Sequence, residues 1–177
     1  MNNAGFGSTG VFHELDLEHE IAEIQLNVLA LVRLTHAILP RLASQTHGGV
    51  INVSSQASFQ AGPYNATYAA AKAFVTSFSE AISEELRDAK VRVQALCPGF
   101  TRTEFHEFAK WDTRNVPQAA WLSAQEVVEA SLRAFDRDQV ICIPGFRYRL
   151  LAIASKLAPR ALVRRMTAKL TRLVKQA

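Results

Sequence analysis

Two kinds of hydrophobic pattern alternate along this chain. From Asp16 to about Leu42, Ile21, Ile24, Val28 and Leu31 recur at spacings of three and four, which predicts a helix with one apolar stripe. Asp16, Glu18 and Glu20 put negative charge at its start, where the helix dipole is positive, and Pro40 predicts a kink or an end in the last turn. After the turn residues Gly48-Gly49, the run Val50-Ile51-Asn52-Val53-Ser54-Ser55 is short and β-branched and predicts a buried strand. A loop through Gly62-Pro63 leads to a second predicted helix, about Asn65 to Ala89, with Ala71, Phe74, Phe78, Ile82 and Leu86 on one stripe. Val91 to Cys97 predicts a second strand, stopped by Pro98-Gly99. Residues 100–121 have no period and predict a long loop. Ser123 and Glu126 stand at capping-box spacing for a helix to about Asp136, and Val140 to Ile143 predicts a third strand, ended by Pro144-Gly145. Helices alternating with short apolar strands predict an α/β fold with a parallel sheet and helices on both faces.

From Leu150 to Val174 the pattern changes. Leu150, Leu151, Ile153, Ala154 and Leu157, then Ala161, Leu162, Ala168, Leu170, Leu173 and Val174, alternate with basic residues, interrupted by Pro159. This predicts two short amphipathic helices joined at Ala158-Pro159. Charge sharpens the division. Residues 141–177 hold nine basic residues and no acidic one, so the net charge of +4 conceals a value of −5 over residues 1–140. Two outcomes fit the tail: docking on the protein's own body with a solvated basic face, or weak contact with an anionic membrane surface through residues 150–177. Nothing else resembles a nucleic-acid module. The 177 residues fit one domain with 49% apolar content, lack a run of 18 apolar residues, and do not start like a signal peptide. Cys97 and Cys142 lie in apolar runs and read as buried thiols of a cytoplasmic protein, with no metal-ligand spacing.

The chemistry gathers at a few positions. Gly5, Gly7 and Gly10 spell G-x-G-x-x-G, but only four residues precede Gly5 and no helix opens behind it, so the spacing does not read as a dinucleotide loop. Tyr68 and Lys72 stand at i and i+4 of the second helix and leave one face. An ammonium fixed beside a phenol favours the phenolate, which gives the pair a reason beyond a solvated helix surface. Ser55 ends a buried strand, where a parallel sheet places functional groups, though it also reads as a plain strand-end cap. Asn27 sits within an apolar helical stretch, where an amide needs partners. Thr101 and Thr103 follow the second strand to the same edge.

Asn2-Asn3-Ala4-Gly5, the helix Asn27, Asn52-Val53-Ser54-Ser55, Tyr68-x-x-x-Lys72 and Pro98-Gly99-x-x-x-Thr103, in that order and at those spacings, resemble the short-chain dehydrogenase/reductase family over about residues 2–146. The resemblance implies the C-terminal, catalytic half of a Rossmann-type fold, a partial doubly wound parallel sheet over residues 1–146, with residues 147–177 as the basic helical tail. It implies hydride transfer between NAD or NADP and a small-molecule carbonyl or alcohol. Tyr68 would be the general acid/base, Lys72 would lower its pKa and hold the nicotinamide ribose, Ser55 would bind the substrate oxygen, and Asn27 would position a relay water. Asn3, Ala4, Gly5, Pro98, Gly99 and Thr103 would line the cofactor. The family's glycine-rich phosphate loop and about 80 residues around it are expected to be missing, so cofactor binding by these residues alone is expected to be weak. A homo-oligomer through the helices at 16–42 and 65–89 is expected. A non-catalytic remnant serving as an oligomerisation or interaction module is the rival reading. The aromatic residues Phe105, Phe108, Trp111 and Trp121 of the long loop suit an apolar substrate and suit plain packing equally.

Overall fold

The computed structural model describes residues 1–45, 48–105, 109, 111, 113–114 and 116–175, with side chains left undescribed at 170 and 172–175. Phe108, and the side chains of Leu170, Arg172, Leu173, Val174 and Lys175 counted in the tail pattern above, therefore lie outside the described residues.

Three parallel strands form the central sheet in the order β1 (Gly49–Val53), β2 (Arg92–Leu96), β5 (Ile141–Cys142). Asn2 bridges the free edge of β1, its amide donating to Ile51 O and its carbonyl accepting from Val53 N. Inside the long loop a second, two-stranded parallel pair forms from β3 (Thr101–Arg102) and β4 (Leu122–Ser123), which the aperiodic sequence did not announce.

Helices cover both faces, as the alternating pattern predicts. On one side lies α3 (Ala66–Glu85). Asn52 of β1 donates to Ser79 of α3 at 3.0 Å, and Ser54 donates to the Lys72 carbonyl at 2.8 Å. On the other side α4 (Ala124–Asp136) packs Val127 and Ala134 against Leu96, Cys142, Ile51 and Val53, the apolar core cluster. The expected capping box starts α4: Ser123 Oγ accepts from Glu126 N, and Ser123 N donates to Glu126 Oε2. Both cysteines are free and buried.

The first helical stretch runs from α1 (Leu17–Ile24) through a π turn (Gln25–Ala30) into α2 (Leu31–Gln45). It continues past Pro40 because that residue is exposed, where solvent satisfies the carbonyl freed one turn earlier. The side it buries overturns the expected stripe. Glu20, Glu23, Asn27, Leu31 and Thr35 face inward, whereas Ile21 is exposed and Ile24 is 44% exposed. In α3 the inward side is likewise Tyr68, Lys72, Val75, Ser79 and Ile82, and Phe74, expected in the core, is 41% exposed and stacks on Phe78. The cause is shared: polar side chains of both helices find buried partners in each other, in the N-terminal loop and in β1, and take inward places beside Leu31, Ala71 and Ile82 of the expected stripes, leaving Ile24 and Phe74 outward. Among the described residues Leu17–Gln45 is the one helix long and apolar enough to cross a membrane by length and composition. Its buried carboxylates are held by Ser8 and Thr67, which ties that side to the protein.

The tail forms α5 (Phe146–Leu157) and α6 (Arg160–Lys175), broken at Ala158-Pro159 as expected. One side of α5 docks on the body through buried Ala152, a 2.9 Å bond from Ser155 to Gln60, and Lys156 over the Phe59 ring.

Candidate active site

The site is built where β1 and β2 end and α3 begins. Extended backbone at Ser55 closes β1, and its hydroxyl accepts from Ala57 N at 3.1 Å, capping the short 3₁₀ turn Gln56–Phe59. Ser55 is thus a strand-end cap, and it also lies against the Tyr68 hydroxyl. Gln56 N donates to Pro98 O at 2.8 Å, joining the ends of the two strands.

Tyr68 and Lys72 leave one face of α3 as their spacing predicts, both buried. Lys72 Nζ donates to the Val53 carbonyl at 2.8 Å and stands 5.6 Å from the centre of the Tyr68 ring. Burial drives the Tyr68 phenol up to about 12, against the opposing pull of Ser55 and with a further push from the Glu23 charge. The nearby ammonium was expected to lower that phenol, but removal from water outweighs it here. Burial also lowers Lys72 to about 8, opposed by Glu23 and Cys97.

Asn27 lies in the π turn. Its Nδ2 donates to Phe6 O at 2.7 Å and its Oδ1 accepts from Phe6 N at 3.1 Å, so the amide is fully engaged by the N-terminal loop. That loop answers what the spaced glycines are for. A Cβ on Gly5 would meet Asn27 Oδ1 at 2.7 Å, and one on Gly7 would meet Tyr68 Cδ2 at 2.7 Å. The glycines give clearance to catalytic candidates and not to a phosphate.

One residue the sequence did not reveal is Glu23, fully buried beside this loop. Its Oε2 accepts from Ser8 N at 2.9 Å, and Ser8 O accepts from Asn65 Nδ2 at 2.7 Å, Asn65 being the residue before α3. Burial raises Glu23 to about 7, Ser8 opposing and Glu20 adding to the shift. Glu20 in turn accepts from Thr67, next to Tyr68. The signal was present: Glu20, Glu23 and Asn27 fall at i, i+3 and i+7, one helix face.

The remaining expected positions separate. Asn3 and Ala4 are exposed at the sheet edge, beside half-buried Gly5, whose place for a Cβ lies 3.5 Å from Lys72 Nζ. Gly99 touches Tyr148 of α5, whose ring a Cβ there would overlap. The Tyr148 hydroxyl accepts from Phe100 N at 3.0 Å and donates to Ala120 O at 2.5 Å. Thr103 is exposed and accepts from Phe105 N, away from the Tyr68 cluster's interior. Phe105 and Trp111 pack on the Tyr68 ring at centroid distances of 5.7 and 5.6 Å, so the long loop closes over the phenol.

Known proteins share the family's sequence pattern and this fold. The family model described as short chain dehydrogenase matches residues 1–113. Acetoacetyl-CoA reductase from Paracoccus denitrificans is 29% identical over 133 residues, 72% of this chain and 55% of that protein. A short-chain dehydrogenase from Sphingobium yanoikuyae, solved in complex with NADPH, superposes with a TM-score of 0.76 at 34% identity, covering 86% of this chain and 60% of that one. The bulky-bulky ketone specific alcohol dehydrogenase from Comamonas testosteroni gives 0.70 at 30% identity, covering 86% and 58%. The chain spans about half the length of the curated relatives it matches. With Ser55 and Lys72 brought to Tyr68 and a family match over residues 1–113, the chain belongs to the short-chain dehydrogenase/reductase family.

Proposed function

We propose that this protein is an NAD(P)-dependent oxidoreductase that interconverts a carbonyl and an alcohol, with Tyr68 as the proton donor and acceptor. The carrying observation is Tyr68 itself, a buried phenol with Ser55 at its hydroxyl and Lys72 one helical turn away. Ser55 Oγ would hold the substrate oxygen and align it with the Tyr68 proton. At neutral pH the Tyr68 phenol, pushed up by burial, keeps its proton and would be able to give it to a carbonyl oxygen. Asn27 would act through the π turn, because its amide is committed to Phe6. A π turn leaves a main-chain carbonyl without its usual amide partner, a place for a relay water.

The residues present suit the nicotinamide side of a cofactor. Asn3 and Ala4, exposed at the sheet edge beside Gly5, would hold the ribose together with Lys72, and Pro98 and Gly99 would flank the nicotinamide ring. Thr103 would reach it only from the exposed rim. A bound NAD or NADP supplies the hydride acceptor or donor. No glycine-rich phosphate loop is among these residues, and we infer that the 177 residues alone hold the dinucleotide weakly. Micromolar affinity in calorimetric titration would refute that. The aromatic cover of Phe105 and Trp111, and the likeness to a bulky-ketone enzyme, support an apolar substrate.

A homo-oligomer fits the outward sides of the two long helices. Ile24, Val28, Ala66, Ala70 and Phe74 line one open apolar groove, which a second copy of the same helix pair would fill with its Phe74 ridge. Phe74→Asp is expected to yield a monomer in light scattering; an unchanged mass would remove the groove from the interface.

Turnover of a carbonyl panel with NADPH by the natural protein tests the main reading. Tyr68→Phe should lower turnover at least about a thousandfold with nicotinamide affinity nearly unchanged, and Lys72→Ala should damage both. Equal, mild losses in the two variants would reduce the pair to helix surface.

A further inference from the structure

α5 turns two stripes in opposite directions. Tyr148, Ala152 and Ser155, spaced by four and three, face the body. Phe146, Leu150, Ile153 and Leu157, spaced by four, three and four, face away, each at least half exposed and Leu157 82% exposed. α6 continues the pattern, with Leu162 and Met166 outward one turn apart and Val163, Thr167 and Thr171 half-buried. Single exposed leucines are ordinary, but a stripe crossing two successive helices is a contact surface.

Charge selects its occupant. Arg160, Arg164, Arg165 and Lys169 are exposed along α6, and among the described residues none of them makes an ion pair. Residues 141–177 carry nine cations and no carboxylate, whereas residues 1–140 carry −5. Two copies joined tail to tail would set these cations against each other. We propose that α5 and α6 lie in the plane of an anionic lipid surface, with Phe146, Leu150, Ile153, Leu157, Leu162 and Met166 sunk among the acyl chains and the cations at headgroup phosphates. Amphipathic helices with a basic polar side bind membranes in this way, and several cations add to the apolar term.

The position of α5 gives the contact a consequence. Its inward stripe touches Gly99 through Tyr148 and Gln60 through Ser155, five residues after Ser55. The lipid-facing helix is therefore also a wall of the candidate site, and an apolar carbonyl would arrive from the bilayer. That consequence rests on the oxidoreductase reading, while the lipid contact stands without it.

Co-sedimentation of the natural protein with phosphatidylglycerol/phosphatidylcholine vesicles and with phosphatidylcholine vesicles tests the contact. The partition coefficient should be at least about tenfold higher on the anionic vesicles at low salt, and most of that preference should vanish near 0.5 M salt. Leu157→Ser with Met166→Ser should weaken binding at both salt levels, and Arg164→Gln with Arg165→Gln only at low salt, with circular dichroism unchanged in both. Equal binding to neutral and anionic vesicles overturns the proposal. So does binding unaffected by the leucine and methionine changes, or a dimer by light scattering that those changes dissociate while vesicle binding is absent. Preferential binding to anionic vesicles by a natural protein that turns over no carbonyl would count against the enzyme reading alone.

Discussion

The two faces of the central sheet both bury apolar side chains, but only one of them is threaded by a chain of buried polar bonds. Against α4 the contacts are apolar, with Leu96, Val127, Ala134 and Cys142 in one cluster and Gln94 bonded to Ser131 as its polar exception. Against α3, buried Ala71, Val75 and Ile82 share the contact with a chain of polar bonds: Asn2 to Asn52, Asn52 to Ser79, Ser54 to Thr76, Lys72 to Val53. Buried polar groups cost free energy unless every one is bonded, so a face made this way is held for position more than for stability. It is the face that carries Tyr68 and Lys72. The α4 face supplies cohesion, and the α3 face supplies geometry.

That division can be broken from either side. Leu96→Ala should have the largest effect on stability, about 3 kcal/mol in chemical denaturation, because it opens a cavity in the apolar cluster, while NAD(P) affinity and the pH profile of turnover stay as they are. A change in those would show that the faces are not separate. Gly7→Ala should do the converse. Its Cβ would press on the Tyr68 ring, so turnover should fall about tenfold to a hundredfold with a small change in melting temperature.

Glu23→Gln sharpens the polar side. The carboxyl stands near 7 in the folded chain against 4.5 when free, so the folded state binds the extra proton between those values. Its contribution is full below about pH 4.5 and is lost as pH rises through about 7, a fall of about 3 kcal/mol. Denaturation at pH 5 and pH 8 should show that fall in the natural protein and not in the variant, whose amide oxygen still accepts from Ser8. Equal slopes would mean that the buried acid does not titrate there. The smallest effect belongs to Arg133→Ala, which removes an exposed i,i+4 pair with Glu129 and should leave the melting curve unchanged within error.

The sequence exposed the site more readily than it exposed the packing. Tyr68-x-x-x-Lys72, Ser55 after a β-branched run, and the Ser123/Glu126 box are local spacings, and local spacings survive folding. The inward sides of α1 and α3 were hidden because apolar periodicity marks a buried face only when water covers the other side. Here the apolar stripes through Ile24 and Phe74 point outward and the polar ones are satisfied inside. Glu23 escaped notice for the same reason, since an acid on a helix is read as solvated until its neighbours are known. Tyr148 lay beyond the reach of any motif: it meets Gly99 only because α5 folds back across 49 residues. The β3–β4 pair depends on a contact between residues that have no β pattern of their own.

The central claim is that the Tyr68 hydroxyl gives its proton to the carbonyl oxygen while hydride from the nicotinamide reaches the carbonyl carbon. NADPH deuterated at the transferable nicotinamide position, incubated with the natural protein and a panel of apolar ketones, tests it by mass spectrometry of the alcohols formed. The account predicts deuterium on the carbinol carbon with the natural protein and none above background with Tyr68→Phe. Deuterated alcohol formed at a comparable rate by Tyr68→Phe, or no labelled alcohol from any ketone by a natural protein that binds NADPH, would contradict it.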